Sequence, residues 1–156
     1  MVNSGSITIC HLFEQPQHVK AVAGWIHREW WSQRPGHTEA TMELRLRQAC
    51  SPDRVPLSLL AMEGCTPIGT VNLVENDAEQ RPDWTPWLAA LLVLPDYRGR
   101  GTGTDLVKRL LRYASRLEIK ELYLGTDIPS FYNRFGSVDL EVFPNGFRYM
   151  TLPVPP

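Results

Sequence analysis

The residues of this chain that could do chemistry are concentrated in one arginine- and glycine-rich stretch: Arg98, Gly99, Arg100, Gly101, Thr102, Gly103 and Thr104. Glycines let the backbone approach a ligand closely, and the free N–H groups at the start of a helix carry partial positive charge. Two arginines can add charge-assisted hydrogen bonds to an anion. An apolar run, 87–94, precedes the stretch, and an amphipathic segment, 101–117, follows it. This order predicts a turn that binds pyrophosphate.

The spacing of the glycines separates three phosphate-binding motifs. The dinucleotide pattern GxGxxG would begin at Gly99, but Thr104 stands where its third glycine belongs, and the chain has no Gly-Lys pair for a P-loop. The pattern that does match is [Q/R]xxGx[G/A], carried by Arg98, Gly101 and Gly103 after a strand that ends in Val-x-Pro. This arrangement resembles the acetyl-CoA signature of the GNAT acyltransferase superfamily.

A second segment, FYNRFG at 131–136, resembles the FYxxxG segment that follows the fifth strand in many GNAT enzymes. Two departures from the family pattern stand nearby. Ser137 follows the glycine where an aromatic residue is usual, and Thr126-Asp127 replaces an asparagine that often contacts the cofactor. These departures put tight closure around the thiol end of the cofactor in doubt.

Hydrophobic periodicity and turn residues place the elements around these motifs. A first strand carries Ile7, Ile9 and Leu12, and helices are predicted over 17–31, 38–49, 101–117 and 129–135. Further strands are predicted over 56–63, 67–75, 87–94, 122–124, 138–143 and 147–152, with a polar loop over 76–86. The resemblance implies a single domain, 1–156, of the α/β (α+β) class. Its GNAT fold would be a mixed, mostly antiparallel seven-stranded sheet, splayed between the fourth and fifth strands and flanked by about four helices.

The resemblance also assigns cofactor contacts and a catalytic acid. Backbone groups of Leu92, Val93 and Leu94 are expected to pair with the pantetheine arm of acetyl-CoA, while the 98–104 turn binds the pyrophosphate. A β-bulge near Leu92 would leave one N–H free to polarise the thioester carbonyl. Tyr132 is expected beside the sulfur, as a cofactor contact and as the general acid that protonates the thiolate. A role in packing the short helix, or in a hydrogen bond to the cofactor alone, would also account for a tyrosine at position 132.

The general base and the acceptor are less closely specified. Asp83 is the tentative base, with Glu75 and Asp127 as alternatives, although each could be a solvated loop carboxylate and a water relay would also serve. Trp30, Trp31 and Trp84 are expected either to form an aromatic wall for the acceptor or to pack in the core.

Acidic residues near the expected acceptor mouth favour a cationic acceptor. They are Asp83, Glu75 and Glu29, and the neighbouring Arg28 and Arg34 weaken this prediction. The acceptor would be a small-molecule amine or a peptide amine, and the protein would be a monomer or a homodimer.

Composition excludes several classes of function. The net charge is −1 and the pI is near 6.4, so we expect neither nucleic acid nor a membrane surface as partner. No apolar run approaches the length of about 18 residues that a membrane helix needs, and the N-terminus has no signal-peptide pattern, so we expect a cytoplasmic protein. Neither the cysteines nor the histidines show zinc-ligand spacing, which predicts no bound metal and reduced, buried thiols.

These features predict an N-acetyltransferase that moves an acetyl group directly from acetyl-CoA to a primary amine. The alternative is a GNAT-like domain that binds acyl-CoA as a sensor or partner module, which the lack of an obvious base favours. A dinucleotide-binding domain is a third possibility, but only about fifty residues follow the glycines, too few to complete a doubly wound sheet.

Overall fold

A computed structural model describes residues 6–156, and its strands form a single mixed sheet. The strands are β1 (Ile7–His11), β2 (Leu57–Glu63), β3 (Thr66–Val74), β4 (Trp87–Val93), β5 (Glu121–Thr126), β6 (Val138–Val142) and β7 (Arg148–Pro153). Their order in the sheet is β1-β2-β3-β4-β5-β7-β6, antiparallel throughout except for the parallel pair β4–β5. The predicted seven-stranded mixed sheet is confirmed.

Four α-helices cover the two faces of the sheet: α1 (Val19–Ile26), α2 (Glu39–Arg47), α3 (Thr102–Arg116) and α4 (Pro129–Asn133). Because side chains alternate along a strand, Leu59 of β2 packs into the cluster that contains α3, while its neighbour Leu60 packs against α1 and α2. Helix α3 buries one complete apolar stripe, as its periodicity predicts. No helix within residues 6–156 has the length and apolar character that crossing a bilayer requires.

The predicted helix over 17–31 is divided into three parts. A 3₁₀ turn at Pro16–His18 leads into α1, and a π-helical turn at His27–Trp31 follows it. Buried residues recur through α1 as far as Ile26, whereas the π-helical turn has none, although Trp31 still packs against the cluster that contains α1 and α2. The prediction of buried thiols was wrong, because Cys50 and Cys65 are exposed and Cys10 is half-buried.

Strand β4 diverges from β5 and carries a bulge, and both features open the middle of the sheet. Only Trp87 and Tyr123 are in register between the two strands. On the other side of β4, the pairing with β3 shifts so that Val71 faces both Ala90 and Leu91. Ala90 has the left-handed φ of 52° that the bulge imposes. The splay is confirmed, and the bulge lies at Ala90–Leu91, just before the position expected near Leu92.

The bulge has a specific hydrogen bond. The buried side chain of Asn72 on β3 donates from Nδ2 to the carbonyl oxygen of Ala90 at 3.5 Å. A non-glycine residue with positive φ is strained, at a cost of about 1–2 kcal/mol, so such a conformation needs support from its surroundings. Asn72 supplies part of that support.

Candidate functional site

A cavity of about 550 Å³ lies between the carboxyl-terminal end of β4 and the segment that follows β5. We call it the turn cavity. It is lined by Glu29, Trp30, Leu91, Leu92, Val93, Tyr97, Arg98, Gly99, Gly101, Thr102, Gly103, Thr104, Asp127, Ile128, Phe131 and Arg134. Its size is typical of small-molecule sites, about 300–1,000 Å³. The structure thus brings together most of the residues that the sequence assigned to the cofactor.

The glycine turn has the backbone shape of an anion cradle. Gly99 and Gly101 have φ values of 78° and 82°, and a Cβ built at either position would meet no atom within 4 Å. The space beside the turn is therefore open to a ligand. Thr102 begins α3, and its hydroxyl is buried without a hydrogen-bond partner within residues 6–156. Together with the N–H groups of the first turn of α3, this hydroxyl suits a bound phosphate oxygen.

Three arginines near the turn differ in their surroundings. Arg98 donates from Nε to the Val93 carbonyl oxygen at 2.8 Å and lines the turn cavity. Arg134 donates to the Thr104 hydroxyl at 3.1 Å and also lines the cavity. Arg100 instead pairs with Glu63 at 3.1 Å and does not line it. Arg98 and Arg134 are therefore the cations available to an anion in the cavity.

The predicted pantetheine contacts differ along the strand. Leu92 and Val93 line the turn cavity, but Leu94 does not. The N–H of Leu94 donates to the Ile68 carbonyl oxygen at 2.9 Å, and its own carbonyl oxygen accepts from Tyr97 N–H at 2.9 Å. Both backbone groups of Leu94 are thus occupied within the protein and are not available to a ligand.

Tyr132 lies in the core, behind the turn cavity. Its side chain is 5% exposed and packs in the cluster formed by the sheet and α3, while its ring meets that of Phe131 at 5.0 Å between centroids. Phe131 lines the turn cavity, but Tyr132 lines neither of the two cavities described here. Burial raises the pKa of the Tyr132 phenol above its ordinary value, so the hydroxyl is protonated at neutral pH and is a donor.

A second cavity of about 720 Å³, which we call the helix cleft, lies under α1 and α2. It is lined by Ile26, Trp31, Arg34, Pro35, His37, Met42, Arg45, Leu46, Gln48, Ala49, Pro56, Leu57, Ser58, Asn72, Val74, Glu75, Asn76, Asp77, Glu79, Gln80, Ala89 and Ala90. Ala89 and Ala90 line the helix cleft, whereas the next residue, Leu91, lines the turn cavity. The cavity that β4 lines therefore changes at its bulge.

The charged residues of the helix cleft include an acid with a perturbed pKa. Removal of water by the surrounding protein raises the pKa of Asp77 to about 6, although the charges of Arg34 and Arg45 act in the opposite direction. Asp77 as a whole residue is still exposed, so its carboxylate can exchange protons with solvent. A carboxylate with this pKa is suited to proton transfer near neutral pH.

The residues expected at the acceptor mouth are in fact separated. Trp31 lines the helix cleft, while its neighbour Trp30 lines the turn cavity. Trp84 lines neither and stacks on Tyr123 at 5.4 Å, in a cluster that also contains Trp87 and Tyr149. Asp83 is exposed and also lines neither cavity.

Of the other acids considered from the sequence, only Glu75 lines the helix cleft. Glu29 and Asp127 line the turn cavity. Within residues 6–156 there is no cluster of three or more His, Cys, Asp or Glu side chains placed to hold a metal ion.

Comparison with known families agrees with this geometry. Residues 22–136 match the model of the acetyltransferase (GNAT) family. The chain belongs to the GNAT acetyltransferase family. A sequence search among curated proteins finds no match.

Solved structures with the same fold are only distantly related in sequence. A GNAT-family acetyltransferase from Staphylococcus aureus Mu50 superposes with a TM-score of 0.71 at 16% identity, covering 96% of this chain and all of that one. An aminoglycoside 6'-N-acetyltransferase complexed with coenzyme A gives 0.71 at 15% identity, covering 96% and 98%. A putative acetyltransferase from Salmonella typhimurium with acetyl-CoA gives 0.73 at 14% identity, covering 97% and 96%. At such low identity these likenesses show the shared GNAT fold.

Several residues of both cavities were not singled out from the sequence. Phe131 and Arg134 stand in the FYNRFG segment, so that motif was a signal for them as well as for Tyr132. Asp77, Arg45 and Ser58 carry no motif at all. Their contribution depends on tertiary packing that brings a loop, a helix and a strand to one cleft.

Proposed function

We propose that this GNAT protein transfers an acetyl group from acetyl-CoA to a primary amine by direct attack. The observation that carries the proposal is the change of cavity between Ala90 and Leu91 on β4. A ligand in the turn cavity and a ligand in the helix cleft would meet at the bulge, as a two-substrate transfer requires.

The turn cavity fits acetyl-CoA on the chemistry of its lining. The open space at Gly99 and Gly101, the unpartnered Thr102 hydroxyl and the cations Arg98 and Arg134 suit a pyrophosphate. Apolar side chains of β4, with Ile128 and Phe131, suit a thin uncharged arm. When bound there, acetyl-CoA would supply an activated acetyl thioester.

The bulge and Tyr132 are proposed to act at the thioester end. Because β5 has diverged and the pairing with β3 shifts at Ala90–Leu91, we propose that a backbone N–H of β4 at the bulge donates to the thioester oxygen. Tyr132 is proposed to donate a hydrogen bond from its phenol to the departing thiolate. Since its raised pKa makes full proton transfer less favourable, a short hydrogen bond to sulfur is the main contribution expected of it.

We propose Asp77, in place of Asp83, as the group that accepts the proton of the attacking amine. An amine is mostly protonated at neutral pH and must lose a proton to attack. Asp77 lines the helix cleft together with Ala89 and Ala90, whereas Asp83 lines neither cavity. The pKa of Asp77, about 6, keeps it ionised at neutral pH while leaving it more basic than an ordinary carboxylate.

Thiol release from acetyl-CoA with a panel of anionic, neutral, cationic and zwitterionic amines tests the function. The acetylated amine should be identified by mass spectrometry, and a reaction without amine measures hydrolysis. We expect thiol release that depends on at least one amine. Binding of acetyl-CoA without thiol release from any amine would refute the proposal and support the sensor alternative.

A further inference from the structure

The two signs of charge in the helix cleft lie on different walls. Arg34 and Arg45 lie on the side of α1 and α2, with their guanidinium carbons 4.7 and 5.8 Å from the ring centre of Trp31. The acids Glu75, Asp77 and Glu79 all belong to the end of β3 and the loop after it. The cleft therefore has a basic wall, ordered on an indole ring, that faces an acidic wall.

Neither arginine has a direct carboxylate partner among the residues that the structure describes. The ion pairs within residues 6–156 involve other arginines, including Arg28 and Arg47, and none includes Arg34, Arg45 or Asp77. Yet both guanidinium charges are close enough to lower the pKa of Asp77. The charges thus face each other across the cleft without closing it, which leaves room for a ligand between them.

A third observation points to a polar ligand. Ser58 lines the same cleft, its residue is 2% exposed, and its hydroxyl has no hydrogen-bond partner within the described chain. A buried hydroxyl without a partner is unfavourable, and a ligand group in the cleft would satisfy it.

We propose that the acceptor is a small zwitterion, an amine that also carries an anionic group, carboxylate or phosphate. The anion binds the basic wall formed by Arg34 and Arg45 on Trp31, and the amine lies toward Asp77 and the bulge. The inference rests on the proposed acetyl transfer and names the acceptor class for it. It also revises the cationic acceptor expected from sequence, because that expectation counted Glu29 and Asp83, which lie outside the helix cleft.

The test compares matched acceptors in matched variants. An amino acid and its amide share the amine but differ in the anion, and phosphoethanolamine and ethanolamine form the corresponding phosphate pair. Arg34→Gln and Arg45→Gln remove the basic wall. Arg47→Gln, on the same helix as Arg45 but outside both cavities, is the control. The difference in amine pKa between the two acceptors cancels when their ratio of kcat/KM in a variant is compared with the same ratio in the wild type.

The wild type should acetylate the anionic member of one pair better than its neutral partner. The pair that shows this preference identifies the anionic group of the acceptor as carboxylate or phosphate. Each basic-wall variant should raise its KM by about ten- to a hundredfold, with little effect on the neutral partner. Arg47→Gln should leave the KM of both acceptors unchanged, and no variant should change the affinity for acetyl-CoA. The zwitterion proposal would be overturned if the neutral or cationic member of each pair were acetylated as well as its anionic partner. It would also be overturned if the basic-wall variants raised the KM of both members equally. Either outcome would leave the proposed acetyl transfer intact. No thiol release from any amine would overturn both.

Discussion

Substituting Gly101 by glutamate should abolish tight acetyl-CoA binding while leaving the protein folded. No atom lies within 4 Å of the added Cβ, so the side chain projects into the open space beside the turn. A carboxylate about 4 Å from a phosphate charge costs about 4 kcal/mol at an effective dielectric of 20, or nearly a thousandfold in affinity. Because the turn is open to solvent, screening reduces this, and we expect a 10²- to 10³-fold weaker Kd.

Gly146→Glu provides the matched control. Gly146 has φ 91°, close to the 82° of Gly101, and likewise has no atom near an added Cβ, but it lies in the β6–β7 turn outside both cavities. Both variants should lose about 1–2 kcal/mol of stability to backbone strain, measurable as similar shifts in Tm. Isothermal titration calorimetry with acetyl-CoA then separates strain from charge. Equal Kd values for the two folded variants would refute the assignment of the pyrophosphate to this turn.

Three further predictions concern protons. Tyr132→Phe should lower kcat by about tenfold to a thousandfold with little change in the acetyl-CoA Kd, because the loss of a donor to the thiolate destabilises the transition state. An unchanged rate in single-turnover kinetics would show that Tyr132 takes no part in the chemical step. In the wild type, kcat/KM should fall as pH drops below about 6, where Asp77 becomes protonated, and this acidic limb should vanish in Asp77→Asn but persist in Asp83→Asn. Burial lowers the pKa of His11, although the charge of Glu14 acts in the opposite direction. Near the ordinary histidine pKa, the unfolded chain therefore binds more protons than the native protein. The free energy of unfolding should therefore fall as pH drops through about 6.5, and chemical denaturation of His11→Gln should show a weaker pH dependence than His18→Gln.

The sequence predicted those parts of the site that depend on local order. The apolar stripe of α3 and the glycines before it are contiguous, so periodicity and spacing named most of the turn residues that line the turn cavity. Arg100 was the exception, because its partner Glu63 is 37 residues away and no local pattern reveals the pair.

The proposed proton acceptor, Asp77, could not be selected in this way. The loop after β3 offers Glu75, Asp77, Glu79 and Asp83, and its folded path places all but Asp83 at the helix cleft. Asn76 accepts from Ala78 N–H at 3.2 Å and donates to the Arg81 carbonyl oxygen at 2.9 Å, which folds the loop back on itself. Proximity to the expected fourth strand favoured Asp83, whereas this local fold places Asp77 at the cleft and leaves Asp83 outside.

The π-helical turn at His27–Trp31 contributes adjacent residues to the two cavities. Trp30 lines one cavity and Trp31 the other, and a single peptide bond joins them. A ligand that shifts either indole alters the backbone that holds its neighbour. Suppose that bound acetyl-CoA changes the affinity for the acceptor by some factor through this turn. Thermodynamic linkage then requires that the bound acceptor change the affinity for acetyl-CoA by the same factor. The affinity of each ligand, measured with and without the other, therefore tests whether this short segment couples the two cavities.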